Sequence, residues 1–429
     1  MLYFGYIFFF KHYFTSAAFI PAGRKLHCSV LINKKIYIGG GRIGGGNRDD
    51  SSTTNEFFYL DISKQFTIIN NASLPWNDLT YTGSPQKYLS TACIGGKNND
   101  IIFILGGGPI DQQFINVNKF ETSKQQWFNV NTTATTPVDR YSLSCAKFNN
   151  GKIVIFSGFT NLTDAPNDLL IFNTLTELWS LSNASNAPPN RSAYCAIILP
   201  DENILYIGGT GSDSSTVLPM DQLPLYNTGS DTWITKNTSG PTPPGRSQFS
   251  AVITPDGRIV IFGGNDGKNF GDLWVLDTTT TTYQWSNGNI SNPIPDLTLS
   301  GHTATLVDNY MFVFFGLFSN DNLSSRIFML DVSQKDSYSW VTEFIPSNAT
   351  TTIPNNTTTI TPSNTATTVS GNTATTVSSN KNIGEIVGSV FGVVGGLALI
   401  ILIIVAFKKL HMAHWVNRQN VNQDREVPQ

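Results

Sequence analysis

Residues 19 to 346 repeat one pattern six times, and no other feature of the chain restricts its fold so tightly. Aliphatic and aromatic runs end in paired glycines or a degraded pair: Tyr37-Ile38-Gly39-Gly40, Ile104-Leu105-Gly106-Gly107, Ile155-Phe156-Ser157-Gly158, Tyr206-Ile207-Gly208-Gly209, Ile261-Phe262-Gly263-Gly264 and Phe314-Phe315-Gly316. The last glycines are separated by 67, 51, 51, 55 and 52 residues. Downstream of each an aromatic recurs, at Phe66, Trp127, Trp179, Trp233, Trp285 and Trp340. Upstream stand Arg24, Arg140, Arg191 and Arg246, with Tyr88 and His302 as weaker openers of their units. A unit of about 50 residues with four short strands cannot bury both faces of its sheet alone. It must pack against two neighbours, and a closed ring leaves no unit uncovered. The period therefore predicts an all-β, six-bladed β-propeller in which glycine pairs take backbone angles other residues avoid and each Trp fills a wedge between blades.

These motifs resemble the kelch-repeat family, which includes attractin-like and muskelin-like proteins and is similar to the central domain of galactose oxidase. The best unit runs Pro244-Gly245-Arg246-Ser247, Ile261-Phe262-Gly263-Gly264, Asp272-Leu273-Trp274-Val275-Leu276-Asp277 and Trp285. Departures fall at Phe66, Ser157 and Phe315, so units one, three and six deviate most. The resemblance implies a kelch propeller and raises copper oxidase chemistry, for which the family's oxidases use two His, two Tyr and a crosslinked Cys. Outside the leader and tail this chain has only His27 and His302, in blades that become neighbours when the ring closes. A shared metal is conceivable there, but no Tyr-Tyr-Cys set accompanies them, so no catalytic residue, cofactor or metal is assigned. The glycine run from Gly39 to Gly46 lacks the Gly-Lys-Ser/Thr of a phosphate loop. Asp49-Asp50 would point to opposite faces of an extended chain, which makes them poor acid/base partners.

The four cysteines, Cys28, Cys93, Cys145 and Cys195, fall one per blade near the same point of the first strand. An even number in an oxidising compartment invites disulfides. Equivalent points of successive blades are expected to lie beyond the roughly 4.4–6.8 Å between Cα atoms that a disulfide needs, which favours buried free thiols. From Phe66 to Gly107 there are 41 residues, against 30 or 31 in later units. The surplus is read as a loop from Asn70 to Lys87 carrying Trp76, and long loops on rigid scaffolds often bind something. With Arg24, Arg140, Arg191 and Arg246 expected near one face, this loop is the candidate partner site, and the segment Gly41 to Asn55 is a weaker one.

Both ends of the chain read as addresses. Residues 1–18 are mostly apolar and reach Ser16-Ala17-Ala18, a signal-peptide pattern without a basic amino end. Ile386 to Phe407 are uncharged and long enough to span a bilayer, and Lys408-Lys409 follow at once. A single-pass type I protein is expected: propeller outside at 19–346, Thr/Ser/Asn-rich stalk at 347–382, helix at 383–407 and cytoplasmic tail at 408–429. Acceptor sequons at Asn71, Asn131, Asn161, Asn183, Asn190, Asn237, Asn289, Asn322, Asn348, Asn355 and Asn356 all precede the span. Gly388, Gly392 and Gly396 are spaced by four along the span, a pattern that permits close helix pairing and a homodimer. Twenty-seven Lys and Arg against 30 Asp and Glu, with no basic run, argue against a nucleic-acid partner. The expected role is recognition of a protein or glycan at the cell surface. The alternatives are a galactose-oxidase-like enzyme with a degenerate or different site, or an architectural surface glycoprotein.

Overall fold

The computed structural model describes residues 18–44, 52–109, 115–130, 137–148, 150–160 and 165–347. The signal segment up to residue 17, the stalk after residue 347, the membrane span with Gly388, Gly392 and Gly396, and the tail lie outside the described residues. So do Asp49-Asp50 and the sequons at Asn131, Asn161, Asn348, Asn355 and Asn356. Among the described residues no helix is long and apolar enough to cross a membrane.

Six four-stranded antiparallel blades are built from consecutive segments, each running from an inner first strand to an outer fourth. Blade one comprises Cys28–Ile32, Lys35–Gly39, Phe57–Asp61 and Trp76–Asp78; blade two, Thr91–Gly95, Ile101–Leu105, Val117–Glu121 and Gln126–Asn129. Blade three comprises Cys145–Lys147, Lys152–Phe156, Leu169–Asn173 and Leu178–Leu181; blade four, Cys195–Ile198, Ile204–Ile207, Gln222–Asn227 and Thr232–Ser239. Blade five comprises Ser250–Ile253, Arg258–Phe262, Leu273–Asp277 and Tyr283–Asn287; blade six, Thr303–Val307, Tyr310–Phe314, Ile327–Asp331 and Ser339–Val341. The second strands are the most apolar; Ile204–Ile207 and Arg258–Phe262 are buried along their whole length, and the other four at every residue but the first, because both sheet faces meet neighbouring blades.

Strand pairing corrects one assignment. Trp76 stands opposite Leu60 in blade one, as Trp127 stands opposite Phe120, Trp179 opposite Phe172, Trp233 opposite Tyr226, Trp285 opposite Leu276 and Trp340 opposite Leu330. The wedge aromatic of blade one is therefore Trp76 and not Phe66. Trp76 precedes Gly107 by 31 residues, the ordinary interval, so the surplus lies in Ile62–Pro75, between the third and fourth strands. Phe66–Thr67 in that insertion pairs with Glu343–Phe344 beyond blade six. This ribbon ties the two ends of the propeller together.

Two rings of backbone hydrogen bonds close the propeller. The N–H groups of Leu26, Leu89, Ser142, Ala193, Gln248 and Gly301 each donate to the corresponding carbonyl of the preceding blade, Leu26 to Gly301, at 2.7–3.0 Å. All six residues have φ between 51° and 64°. In the opposite sense, Gly41, Gly107, Gly158, Gly209, Gly264 and Gly316 donate to the carbonyls of Lys87, Arg140, Arg191, Arg246, Leu299 and Arg24. The openers of blades two and six are thus Lys87 and Leu299 rather than Tyr88 and His302. Close approach explains the first glycine of each turn, which in blade one is Gly40 of a Gly40-Gly41 pair and not Gly39 of Gly39-Gly40: a Cβ on Gly40 would sit 2.1 Å from the Lys87 carbonyl oxygen. Two blades depart from this. Ser157 accepts the Arg191 N–H with its hydroxyl at 3.0 Å, and Phe315, at φ 58°, stacks on Trp76 with centroids 6.2 Å apart. The cluster of Ile36, Ile38 and Phe58 with Phe312, Phe314 and Phe315 seals blade six against blade one. Among the described residues no strand from elsewhere completes a blade, and the ring closes within residues 18–347, which fall in one compact unit.

Candidate interaction surfaces and the central channel

The four arginines expected near one face are inside the blades. Arg24 and Arg246 are fully buried, and Arg140 and Arg191 nearly so. Each guanidinium donates through Nη1 to the carbonyl of the first turn residue: Arg24 to Gly40 at 3.1 Å, Arg140 to Ser157 at 3.2 Å, Arg191 to Gly208 at 3.4 Å and Arg246 to Gly263 at 3.1 Å. Three of them also bind a carboxylate just before the third strand, Arg24 with Glu56, Arg140 with Asp168 and Arg246 with Asp272. Arg246 and Asp272 form a two-bond fork at 2.6 and 3.0 Å. These side chains clamp turns. Trp76, the fifth candidate, is half-buried against Phe58 and Phe315 and belongs to the wall between blades six and one.

The first strands line a central channel of about 310 Å³. Its wall is mostly hydroxyls and small side chains, including Ser29, Thr91, Ser144, Ser250 and Thr303. His27 and His302 occupy equivalent positions but enter different gaps. His27 reaches Thr303 Oγ1 at 2.9 Å and meets the Phe315 ring between blades six and one, whereas His302 meets Phe262 between blades five and six. The first strand of blade six separates them, which argues against a shared metal. Burial pushes the His27 imidazole well below its usual range and His302 to about 4. Among the described residues no group of three His, Cys, Asp or Glu side chains is placed to hold a metal ion.

The favoured reading of four free thiols is overturned by a disulfide between Cys93 and Cys145, with Cα atoms 6.5 Å apart. Side chains alternate along a strand, so Cys93, two places beyond the Cys28 position in its blade, faces blade three, while Cys145, one place beyond, faces back toward blade two. They meet in the gap that separates their blades. Cys28 and Cys195 also face forward, but the next blades present Ala92 and Ala251 there, and both cysteines remain free. Burial raises their thiols to about 11 and about 12.

The upper face of the ring carries the glycine turns and the connections between blades; the lower face carries the turns joining first to second and third to fourth strands. Four described sequon residues, Asn183, Asn237, Asn289 and Asn322, are exposed. Asn183, Asn289 and Asn322 are in upper-face loops, and Asn237 pairs with Gln222 near the upper end of its strand. Asn71 and Asn190 instead donate their amides to the carbonyls of Ser325 and Ala165. Charge on the lower face divides along a diameter. The turns of blades one to three, with their flanking residues, carry Lys34, Lys35, Lys64, Lys97, Lys124, Lys147 and Lys152 against Asp61, Asp100, Glu121 and Glu177. Those of blades four to six carry Asp201, Glu202, Asp231, Asp256, Asp277, Asp308, Asp331 and Asp336 against Arg258 and Lys335. Sequence reasoning missed this split because it appears only once the turns are sorted by face.

Glycine turns clamped by buried arginines, in a closed ring of six four-stranded blades, define a propeller built from short internal repeats. The chain belongs to the kelch-repeat family: the KLHDC2/KLHL20/DRC7 Kelch-repeats domain matches residues 26–264 and 211–381. It is 27% identical over 243 residues to host cell factor 1 of Homo sapiens, an alignment covering 51% of this chain and 11% of that protein. It is 30% identical over 211 residues to tip elongation aberrant protein 1 of Schizosaccharomyces pombe, covering 47% of this chain and 18% of that one. With the human Rab9 effector protein with kelch motifs it shares 23% identity over 219 residues, covering 49% and 58%. The chain thus spans only a fraction of the length of these relatives. The solved structure of YjhT superposes with a TM-score of 0.57 at 13% identity, covering 75% of this chain and 98% of that one, a likeness of fold.

Proposed function

We propose that this propeller is a protein-recognition module displayed outside the cell on a single-pass type I anchor, and that its lower face docks a second copy of the chain. The charge split carries the reading. Rotating one copy by 180° about the diameter that divides the halves lays each basic half on the partner's acidic half, whereas a rotation about the perpendicular diameter opposes like charges. The charges thus select a single twofold arrangement. Described acceptor asparagines that are exposed lie toward the opposite end of the ring, so glycans there would leave the lower face bare. A disulfide and these sequons both suit the secretory pathway. The neutral, hydroxyl-lined channel and the absence of a metal-holding cluster among the described residues favour binding over an oxidase.

Sedimentation of residues 18–347 tests the docking. A dimer at about 20 mM salt should dissociate at about 0.5 M, where the screening length falls to a few ångströms. A species that stays monomeric at about 100 μM in low salt would overturn the docking. Compartment is tested separately on the full chain from cells: endoglycosidase treatment should speed its migration on a gel, and unchanged migration would place it outside the secretory pathway.

A further inference from the structure

We infer that a groove on blade four is a binding site for an acidic peptide side chain. Three of the clamping arginines have a carboxylate at the residue just before the third strand, namely Glu56, Asp168 and Asp272. In blade four, whose third strand starts one residue earlier, strand pairing puts Gln222 at that position, as Tyr226 opposite Trp233 matches Leu60 opposite Trp76. Arg191 is 5% exposed, its Nε has no hydrogen-bond partner, and no carboxylate among the described residues reaches it. Burial lowers its guanidinium to about 10, still charged at neutral pH. A buried cation without a counter-ion is costly, and the sister blades show which group relieves that cost.

The site is open to a ligand. Arg191 and Gln222 line a groove of about 320 Å³ whose other walls include Pro188, Pro219, Pro224 and Trp233. Such walls suit the apolar neighbours of an Asp or Glu in an extended peptide, and a carboxylate entering from solvent would meet the guanidinium where Glu56, Asp168 and Asp272 meet theirs. Rigid prolines reduce the ordering needed on binding. The lower face and its charges are not involved, so this site stands or fails independently of self-docking.

The test uses residues 18–347 and the capped peptide acetyl-Leu-Glu-Leu-amide, followed by calorimetry or nuclear magnetic resonance. Saturable binding is expected at concentrations up to about 10 mM, weakened at least tenfold when the peptide's Glu is replaced by Gln. The decisive variant is Gln222→Glu, which restores the carboxylate found in the sister blades. It should raise the melting temperature and abolish peptide binding, because the internal carboxylate occupies Arg191. No saturable binding to the unaltered protein, equal binding of the Gln peptide, or undiminished binding by Gln222→Glu would each overturn the assignment.

Discussion

Replacing Trp76 with Ala separates the two places this residue can occupy: a binding loop or the wall between blades. In the structure Trp76 meets Phe58 edge to face at 5.3 Å and lies parallel to Phe315 at 6.2 Å, and both partners are fully buried. Truncating a large buried aromatic costs about 3–5 kcal/mol, and partial exposure of the indole places this case near the lower figure, about 3 kcal/mol. For a folded unit of about 330 residues, with an unfolding entropy of about 2.1 cal/mol/K per residue, each kcal/mol lowers the melting temperature by about 1.4 °C, so a fall of roughly 4 °C is expected. Loss should be larger than for Phe66→Ala, because Phe66 packs in the peripheral ribbon. Differential scanning calorimetry of residues 18–347 measures both. A melting temperature within a degree of the unaltered protein would refute the placement of Trp76 in the wall and return it to a surface loop.

Removing the disulfide by Cys93→Ala with Cys145→Ala opens a 52-residue loop and should cost about 4 kcal/mol on loop-entropy grounds, read from denaturant melts. Peptide mapping without reductant should recover the Cys93–Cys145 link, with Cys28 and Cys195 alkylated only after unfolding; a link involving Cys28 would contradict the facing rule. The two buried histidines make the fold acid-sensitive. Because the folded His302 titrates near 4 and the unfolded side chain near about 6.5, the unfolded chain binds more protons, so stability present above that range is lost as pH falls through it. His302→Phe, matching Phe249 in blade five, should flatten part of this decline, and an unchanged pH profile would show that His302 does not contribute.

Much of the fold was legible because the glycine pairs answer to a backbone need that recurs in every blade. Close approach of the next blade's carbonyl leaves room for few side chains, so the pairs survive as visible markers, and the period of six follows from them. Blade one was misread because Phe66 is an aromatic at a plausible distance, while the spacing of 31 residues from Trp76 to Gly107 was the better signal. The cysteines were misjudged because register decides which face a thiol takes, and a shift of one residue between Cys93 and Cys145 turns them toward each other. Arginine recurrence was visible, but a turn clamp and a ligand contact leave the same mark in sequence. Only the carboxylates at Glu56, Asp168 and Asp272, and the Gln222 that breaks their series, tell the two apart. Lower-face polarity depends on turns from all six blades and has no local signature.

Self-docking is tested most directly by mixing two charge-reversed forms of residues 18–347. One carries Lys64→Glu, Lys97→Glu and Lys152→Glu, and the other Asp201→Lys, Glu202→Lys, Asp308→Lys and Asp336→Lys. Each alone presents a face of a single dominant sign and should sediment as a monomer at about 20 mM salt, because like charges then meet on both halves. An equimolar mixture should sediment as a heterodimer under the same conditions, and a mixture that remains monomeric would contradict docking through this face.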